Sequence, residues 1–142
     1  MKREGWFWEE MEGRRELAPC SRLLGRQVRA VDPEAGTIEV EFEAAPEFVN
    51  SAGAIQGGML AAMLDSTLGL ALRARLPADV LAPTLELKVS FLRPATVGPL
   101  VGQGRVVHQA TSVAFLAGEL RNPAGEIVAT ASATARLRRA KS

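Results

Sequence analysis

The segment GGMLAAMLDSTLGLALRARL, residues 57–76, most constrains the fold of this chain. Its length and composition predict a helix of about twenty residues. A helix at the surface of a globular domain normally has one apolar stripe and one polar face, whereas this segment is apolar on most sides. The rest of the chain must therefore cover it from several directions. Two features need a separate explanation: the glycine pair Gly57-Gly58 and the single carboxylate of Asp65.

Segments that alternate apolar and polar residues lie on both sides of this helix, and a period of two predicts half-buried strands. Residues 37–43 have Ile38, Val40 and Phe42 on one face, and the turn DPEAG joins them to a partner strand at 26–31. Four more strands are predicted at residues 84–92, 100–109, 112–121 and 126–137. The apolar face of the first of these four consists of Leu85, Leu87, Val89 and Phe91. The corresponding face of the last one consists of Ile127, Ala129, Ala131, Ala133 and Ala135.

The order of two strands, one long helix and four strands predicts an α+β fold, in which an antiparallel sheet of about six strands wraps around the helix. This is the hotdog architecture. Residues 1–25 predict an N-terminal helical extension in two pieces, 6–12 and 15–25, with Gly25 as the stop signal. We expect its apolar residues to pack on the body of the fold or to line the mouth of a pocket. Residues 26–142 predict a single domain, since no linker divides them.

Composition excludes several classes of protein. The net charge is +1, and Lys and Arg cluster only at residues 136–141, so nothing indicates a nucleic-acid partner. Asp65 and Gln56 interrupt the most apolar window, which argues against a membrane span. The single cysteine, Cys20, cannot form an internal disulfide, and this is typical of a cytoplasmic protein. We interpret Cys20 as an inert packing residue.

The glycine pair at the start of the helix has two interpretations. Glycines at a helix start leave backbone N–H groups that no Cβ blocks, and such a terminus can hold an anion or a developing oxyanion. Alternatively, Gly57 and Gly58 only allow the helix to pack closely on the sheet. Spacing alone does not decide between the two.

Asp65 lies within the helix without a partner of opposite charge. Its neighbours three and four residues away are Ala61, Ala62, Leu68 and Gly69. An unpaired carboxylate in a core is costly, so Asp65 either has a partner from elsewhere or faces a wet cleft, where it could act as a general base. A water-satisfied carboxylate at a helix bend is the alternative.

Gly57 and Asp65 are eight residues apart, which is about 12 Å along a helix. A carbonyl oxygen held by the N–H of Gly57 lies about 3 Å from that group, and Asp65 of the same helix cannot then reach the carbonyl carbon. If both residues serve one reaction, they come from different chains. The functional interpretation therefore predicts a homodimer with composite sites.

With these residues in place, the chain resembles the hotdog-fold acyl-CoA thioesterases of the phenylacetate-degradation type. The family pattern is an Asn, a Gly, a His-Gly-Gly triplet and an Asp eight residues after the first glycine of the pair. This chain has Asn50, Gly53, Gln56-Gly57-Gly58 and Asp65 at those places. A Ser or Thr at the start of the next long strand corresponds to Thr84, and that strand ends in Phe91-Leu92-Arg93-Pro94. The resemblance runs from about residue 26 to 137.

The resemblance implies hydrolysis of an acyl-CoA or aryl-CoA thioester to a free acid and CoA. It implies that the N–H of Gly57 polarises the thioester carbonyl and that Asp65 of the neighbouring chain is the general base or the nucleophile. Asn50 would hold the carbonyl or the attacking water, and Thr84 would orient Asp65 or that water. The implied substrate contacts are Gly58, Met59, Ser66, Arg93 and Pro94. The family needs no metal and no cofactor other than the CoA of the substrate, and its members are usually homotetramers built from two dimers.

One residue departs from the family pattern. Gln56 stands where the family usually has His, and its amide can donate and accept hydrogen bonds but cannot take part in imidazole titration. The only histidine, His108, lies far along the chain, where we expect a surface or structural role. This argues against a hotdog dehydratase, which needs a histidine near the central helix.

Two alternatives to hydrolysis remain. A non-catalytic acyl-CoA-binding hotdog protein needs the same pocket but has no use for a base. A purely structural interaction module leaves Asp65 without a reason. A medium-chain or aromatic pocket could be shaped by several apolar side chains, which could also be ordinary core or surface packing: Trp6, Phe7, Trp8, Met59, Met63 and Leu64. Arg93, Arg105 and the basic tail are candidates for CoA phosphate contacts.

Overall fold

The computed structural model describes residues 2–141, so the Met1 end of the predicted extension and the Ser142 end of the predicted domain lie outside the described residues. The helices are α1 (Trp6–Met11), α2 (Pro19–Leu23) and α3 (Gly57–Arg73), and a 3-10 turn covers Pro46–Phe48. The strands are β1 (Gln27–Asp32), β2 (Thr37–Ala44), β3 (Val80–Leu81), β4 (Thr84–Phe91), β5 (Gly98–Gln109), β6 (Val113–Arg121), β7 (Ile127–Arg136) and β8 (Arg138–Arg139).

Six of these strands form one antiparallel sheet in the order β1-β2-β5-β6-β7-β4. The helix α3 packs against β2, β4, β5, β6 and β7, so the sheet wraps around it. The predicted α+β hotdog fold is confirmed. β1 and β4 are the two edges of the sheet, and β3 and β8 pair in a separate two-stranded sheet that the sequence analysis did not predict.

The alternation in β2 and β7 buries the predicted faces. Ile38, Val40 and Phe42 are buried, and so are the alanines of β7. The prediction that Ile127 shares the buried face is wrong. Leu120 pairs with Ala129 and Arg121 pairs with Ile127, so Val128 is an extra residue between the two pairs. This bulge buries Val128 and leaves Ile127 half-buried.

The predicted apolar face of β4 is only half correct. Leu87 and Val89 are half-buried against the core, but Leu85 is 62% exposed and Phe91 54% exposed. A register shift between Thr84 and Glu86 makes Leu85 a bulge residue that leaves the alternation. Because β4 is an edge strand, the other described residues leave more than half of each of these two side chains exposed.

The contact between α3 and the sheet depends on glycines in the strands as well as on the alanines of β7. A Cβ on Gly102 would lie 2.3 Å from Oγ1 of Thr67, and one on Gly104 would lie 3.0 Å from Cγ2 of the same residue. Gly118 is equally tight, since a Cβ there would lie 2.4 Å from the carbonyl oxygen of Gln103. Glycine suits these strand positions because α3 lies close to Gly102 and Gly104 and because the backbone of β5 lies close to Gly118.

All three helices are shorter than predicted. α3 ends at Arg73 rather than at residue 76, because Pro77 follows and the guanidinium of Arg73 donates to the carbonyls of Leu76 and Pro77. In the extension, α1 ends one residue before the predicted piece 6–12, and α2 begins only at Pro19, a residue suited to the first turn of a helix. Gly25 ends the extension as predicted, with a φ of 62°.

The extension packs on the body, as predicted. Phe7 and Trp8 are buried in the same apolar core as α3 and the sheet, while Trp6 remains partly exposed. The chain from residue 2 to Arg26, here called the N-terminal segment, is therefore fixed against the rest of the fold rather than trailing from it.

Candidate active site

The loop before α3 is held by the side chain of Asn50. Its Oδ1 accepts hydrogen bonds from the backbone N–H groups of Ala52 (2.9 Å) and Ala54 (3.3 Å), and its Nδ2 donates to Oε1 of Gln56 at 3.3 Å. Gly53 permits the tight turn with a φ of 85°. The structure thus brings Asn50 and Gln56 together at the start of the helix.

The first turn of α3 presents backbone N–H groups. Gln56 is the N-cap residue, and its side chain makes no capping hydrogen bond. The first N–H groups of a helix have no acceptor within the helix, and the helix dipole gives this end a partial positive charge. The N–H of Met59 donates to the carbonyl of Gln56 at 2.9 Å, and among residues 2–141 the N–H groups of Gly57 and Gly58 have no acceptor.

Gly57 opens a small cavity of about 360 Å³, here called the small cavity, whose other walls are residues 91–95 and part of the loop before α3. A Cβ on Gly57 would lie 3.1 Å from Cζ of Phe91, so the aromatic ring already occupies the space that a side chain would need. The predicted contacts Arg93 and Pro94 line this same cavity. Arg93 forms an exposed ion pair of 3.4 Å with Glu126.

Asp65 is half-buried and receives a hydrogen bond from the hydroxyl of Thr84, with 2.8 Å between Oγ1 and Oδ1. No Lys or Arg nitrogen lies within 4 Å of its carboxylate among residues 2–141. Because Thr84 begins β4 and Asp65 lies midway along α3, the fold itself places the donor beside the carboxylate. The arrangement leaves an oriented carboxylate without a counter-charge.

Asp65 and Thr84 lie in the wall of a second cavity of about 880 Å³, here called the large cavity. Ser66 lines it too, next to Asp65 on α3. The other walls come from residues 81–83 and from the N-terminal segment, which contributes Trp6. The apolar extension therefore also lines a pocket, as predicted.

Within one chain the two halves of the predicted site are separate. Gly57 faces the small cavity and Asp65 the large one, and they are about 12 Å apart along α3. The remaining predicted contacts, Gly58 and Met59, line neither of these two cavities. Gly58 is exposed, and Met59 packs against the core.

The other residues singled out in the sequence fall outside this machinery, with one exception. His108 is exposed and stacks on Phe115, which is a surface position as predicted. Met63 and Leu64 are core residues. Cys20 is the exception: it is exposed and lines the large cavity, so its interpretation as a packing residue is wrong. The reason is that α2 turns this residue outward while Ser21 and Leu24 are buried.

Three of the charged side chains in the wall of the large cavity are buried, and none of these was singled out from the sequence. Arg26 and Glu10 form an ion pair in which each side chain is 5% exposed. Arg73 is buried, and desolvation lowers the pKa of its guanidinium, opposed by the charge of Asp79. Arg73 could have been found from the sequence, because it lies eight residues after Asp65 and therefore near the same side of α3. The Glu10–Arg26 pair could not, because it depends on tertiary contacts.

Residues 2–141 contain neither a cluster of metal-ligating side chains nor a helix that could span a membrane. No three His, Cys, Asp or Glu side chains in this range are grouped as a metal site. None of the helices in this range has both the length and the hydropathy needed to cross a bilayer.

Comparisons with known proteins agree on one family. The model of the Thioesterase superfamily matches residues 52–129, more than half of the chain. The crystal structure of a candidate thioesterase from Ralstonia eutropha JMP134, a phenylacetic acid degradation-related protein, is 39% identical. It has a TM-score of 0.90 and covers 93% of this chain and 99% of its own.

Curated relatives point the same way. A candidate esterase of Saccharolobus solfataricus is 31% identical over 105 residues, which are 73% of this chain and 74% of that protein. Human acyl-coenzyme A thioesterase 13 is 28% identical over 112 residues, 76% of this chain and 77% of its own. The chain therefore belongs to the thioesterase superfamily, in its hotdog-fold branch of the phenylacetate-degradation type, and is a thioester hydrolase.

Proposed function

We propose that the protein hydrolyses an acyl-CoA or aryl-CoA thioester to a free acid and CoA. The observation that carries the proposal is the carboxylate of Asp65 in the wall of the large cavity. Thr84 orients it at 2.8 Å, and no Lys or Arg among residues 2–141 pairs with it. The name of the related acyl-coenzyme A thioesterase supports CoA as the carrier of the acyl group. No cofactor takes part beyond this CoA.

Asp65 acts in one of two ways. As a general base it takes a proton from water, the hydroxide attacks the thioester carbon, and the C–S bond breaks to release CoA, which leaves with a proton. As a nucleophile, its Oδ attacks the carbon and expels CoA, and water then hydrolyses the resulting anhydride. In both cases Thr84 is a positioning residue, because its hydrogen bond fixes which carboxylate oxygen faces the substrate.

The negative charge that develops on the thioester oxygen is stabilised at the start of α3. The N–H of Gly57 is the principal donor, and the absence of a Cβ lets the carbonyl approach. The amide of Asn50 holds the carbonyl or the attacking water, and Gln56 supports it through their hydrogen bond of 3.3 Å. Gln56 thereby keeps a positioning role in place of the usual histidine.

These two halves are joined by a second copy of the chain. Since Gly57 and Asp65 face different cavities about 12 Å apart, one carbonyl can contact both only if each comes from a different protomer. The free edge strand β4, with Leu85 and Phe91 exposed, offers a surface for this association. We propose a homodimer with two composite sites, paired further into a homotetramer in the cytoplasm.

The variant Asp65→Asn tests the reaction. Asparagine keeps the size of the side chain and can still accept the hydrogen bond of Thr84, but it cannot accept the proton or form the anhydride. We expect kcat to fall by about 10²–10⁴-fold on the best substrate of an acyl-CoA panel, measured by release of the CoA thiol. Near-normal turnover by this variant would show that Asp65 is neither base nor nucleophile. Tight acyl-CoA binding by the parent protein without any thiol release would instead indicate a binding protein.

Mixing variants tests the composite site. Neither Asp65→Asn nor Gly57→Val retains an intact site as a homodimer, whereas each mixed pair has one wild-type Gly57 facing one wild-type Asp65. Random co-assembly should therefore restore about a quarter of the parental activity. Activity no higher than that of the separate variants, in pairs shown by two affinity tags to contain both chains, would place the whole site within one protomer.

A further inference from the structure

The part of α3 that lines the large cavity contains several small residues. Ala62, Ser66 and Gly69 are spaced four and three residues apart beside Asp65 on one face of α3. This part of the cavity wall therefore consists of small residues, while the larger Leu70 and Arg73 line it further along the helix. A Cβ placed on Gly69 would have no neighbour within 4 Å. Unlike the glycines of β5, Gly69 is therefore not required by a close contact, and it weakens the helix that contains it.

The opposite wall is the N-terminal segment, and it is firmly held. Phe7 and Trp8 are buried in the core, and a buried ion pair joins Glu10 of α1 to Arg26, the residue before β1. Trp6, on the same helix, lines the cavity. The cavity thus lies between two fixed surfaces, which is the condition for selecting ligands by size.

One group in this wall lacks a partner. The Nε of Arg26 is a buried donor with no hydrogen-bond acceptor among residues 2–141. Buried donors in native proteins are nearly always satisfied, by protein, water or ligand. The volume of about 880 Å³ falls in the usual range of roughly 300–1,000 Å³ for small-molecule sites. The cavity is therefore large enough to hold a ligand as well as a water molecule that satisfies this donor.

We propose that the large cavity is the acyl site, that Gly69 sets the largest acyl group it accepts, and that the N-terminal segment forms its far wall. This rests on the proposed function, because the thioester carbon must lie beside Asp65 at one end of the cavity. The acyl group extends from there over Ser66 and Gly69 towards Trp6, while CoA extends the other way. The cavity far exceeds an acetyl group, so the substrates are aromatic or medium-chain acyl groups.

A pair of variants at one position tests the role of Gly69. Gly69→Leu extends a side chain into the cavity, and Gly69→Ala is the matched control that adds a single methyl group. For each protein, kcat/KM is measured with acetyl-CoA, octanoyl-CoA and phenylacetyl-CoA. Gly69→Leu should lower the ratio of each larger substrate to acetyl-CoA by about tenfold or more, and Gly69→Ala should change it by less than about threefold. Equal effects on all three substrates, or none on any of them, would overturn the assignment.

The only cysteine of the chain gives a binding readout that needs no hydrolysis, since Cys20 is exposed in the wall of the cavity. Alkylation of Cys20 by iodoacetamide is followed by intact mass in the Asp65→Asn variant, so that the ligand survives. Octanoyl-CoA or phenylacetyl-CoA at ten times its Kd should slow alkylation about tenfold, whereas desulfo-CoA, which has no acyl group and no thiol, should not.

The two experiments separate the two proposals. Protection of Cys20 by acyl-CoA together with a parent protein that never releases thiol would support the acyl site and contradict hydrolysis. Normal hydrolysis by the parent with no protection of Cys20, or with protection by desulfo-CoA as strong as by the acyl-CoAs, would contradict the acyl site alone. The oligomeric mass of Gly69→Leu is measured as well, because a changed mass would place Gly69 at a subunit contact and overturn the inference.

Discussion

The two sides of α3 use glycine in opposite ways. On the side of the sheet, Gly102 of β5 faces Thr67, and a Cβ there would lie only 2.3 Å from the Thr67 hydroxyl oxygen. On the side of the large cavity, Gly69 belongs to the helix itself, and a Cβ there would meet nothing within 4 Å. The first glycine allows two elements to touch, and the second keeps a space open. A glycine needed for packing therefore differs from one that shapes a site in the atoms that a Cβ at its position would contact.

The polar residues of the helix follow the same division. The side of α3 that faces the sheet is called the closed side, and the side that faces the large cavity is called the open side. Thr67, on the closed side, is fully buried, and its hydroxyl donates to the carbonyl of Met63 within the helix at 2.8 Å. Asp65, on the open side, takes its hydrogen bond from Thr84 of another element and remains partly exposed. Chemistry is possible only on the open side, since a substrate can reach a polar group only where the helix is not covered.

The free energy of unfolding should be most sensitive to a methyl group that is added on the closed side of α3. Gly102→Ala forces its Cβ against Thr67, and overpacking a core of this kind costs about 1–3 kcal/mol, with the upper end expected here. The free energy of unfolding is measured by urea denaturation. The double variant Gly102→Ala/Thr67→Ala removes the hydroxyl and methyl groups that clash and should recover part of the loss. Unchanged stability of Gly102→Ala would show that the helix and sheet are less closely packed than the structure has them.

Substitutions on the open side should lower the rate of hydrolysis rather than the free energy of unfolding. Thr84→Val keeps the shape of the side chain but removes the donor to Asp65, and a hydrogen bond to a charged group contributes enough to predict a fall in kcat of about tenfold. KM should change little, because the interaction orients Asp65 and does not bind the substrate. Thr84→Ser should restore kcat by restoring the hydroxyl. If Thr84→Val raises KM and leaves kcat intact, then Thr84 contacts the substrate directly.

Much of this architecture could be predicted from the sequence, because the patterns that determine it are local. The period of two in residues 37–43 and the apolar circumference of α3 fix which faces are buried. The pairs β1-β2, β5-β6 and β6-β7 join strands that are neighbours along the chain, whereas the place of β4 beside β7 does not follow from the chain order. The pairing of Thr84 with Asp65 was reached through resemblance to a family.

What escaped prediction depends on contacts between distant residues. The bulges at Leu85 and Val128 are properties of register between strands, and no local pattern specifies them. The role of Gly102 becomes visible only when Thr67 is known to face it. The large cavity needs three separate parts of the chain to come together, and so its wall at Arg26 could not be recognised from the sequence.

The smallest predicted effect is also the sharpest test of the contrast between the two sides. Gly69 has ordinary helical φ, and Ala is a better helix former than Gly, so Gly69→Ala should raise the free energy of unfolding by about 0.5–1 kcal/mol. The melting temperature should rise by about 2–4 °C. Gly57→Ala is the matched control on the same helix, because its Cβ would lie 3.1 Å from the Phe91 ring and the steric cost offsets the gain. A loss of stability on Gly69→Ala would mean that the space over Gly69 is filled in the assembled protein, and the acyl group would then have to bind elsewhere.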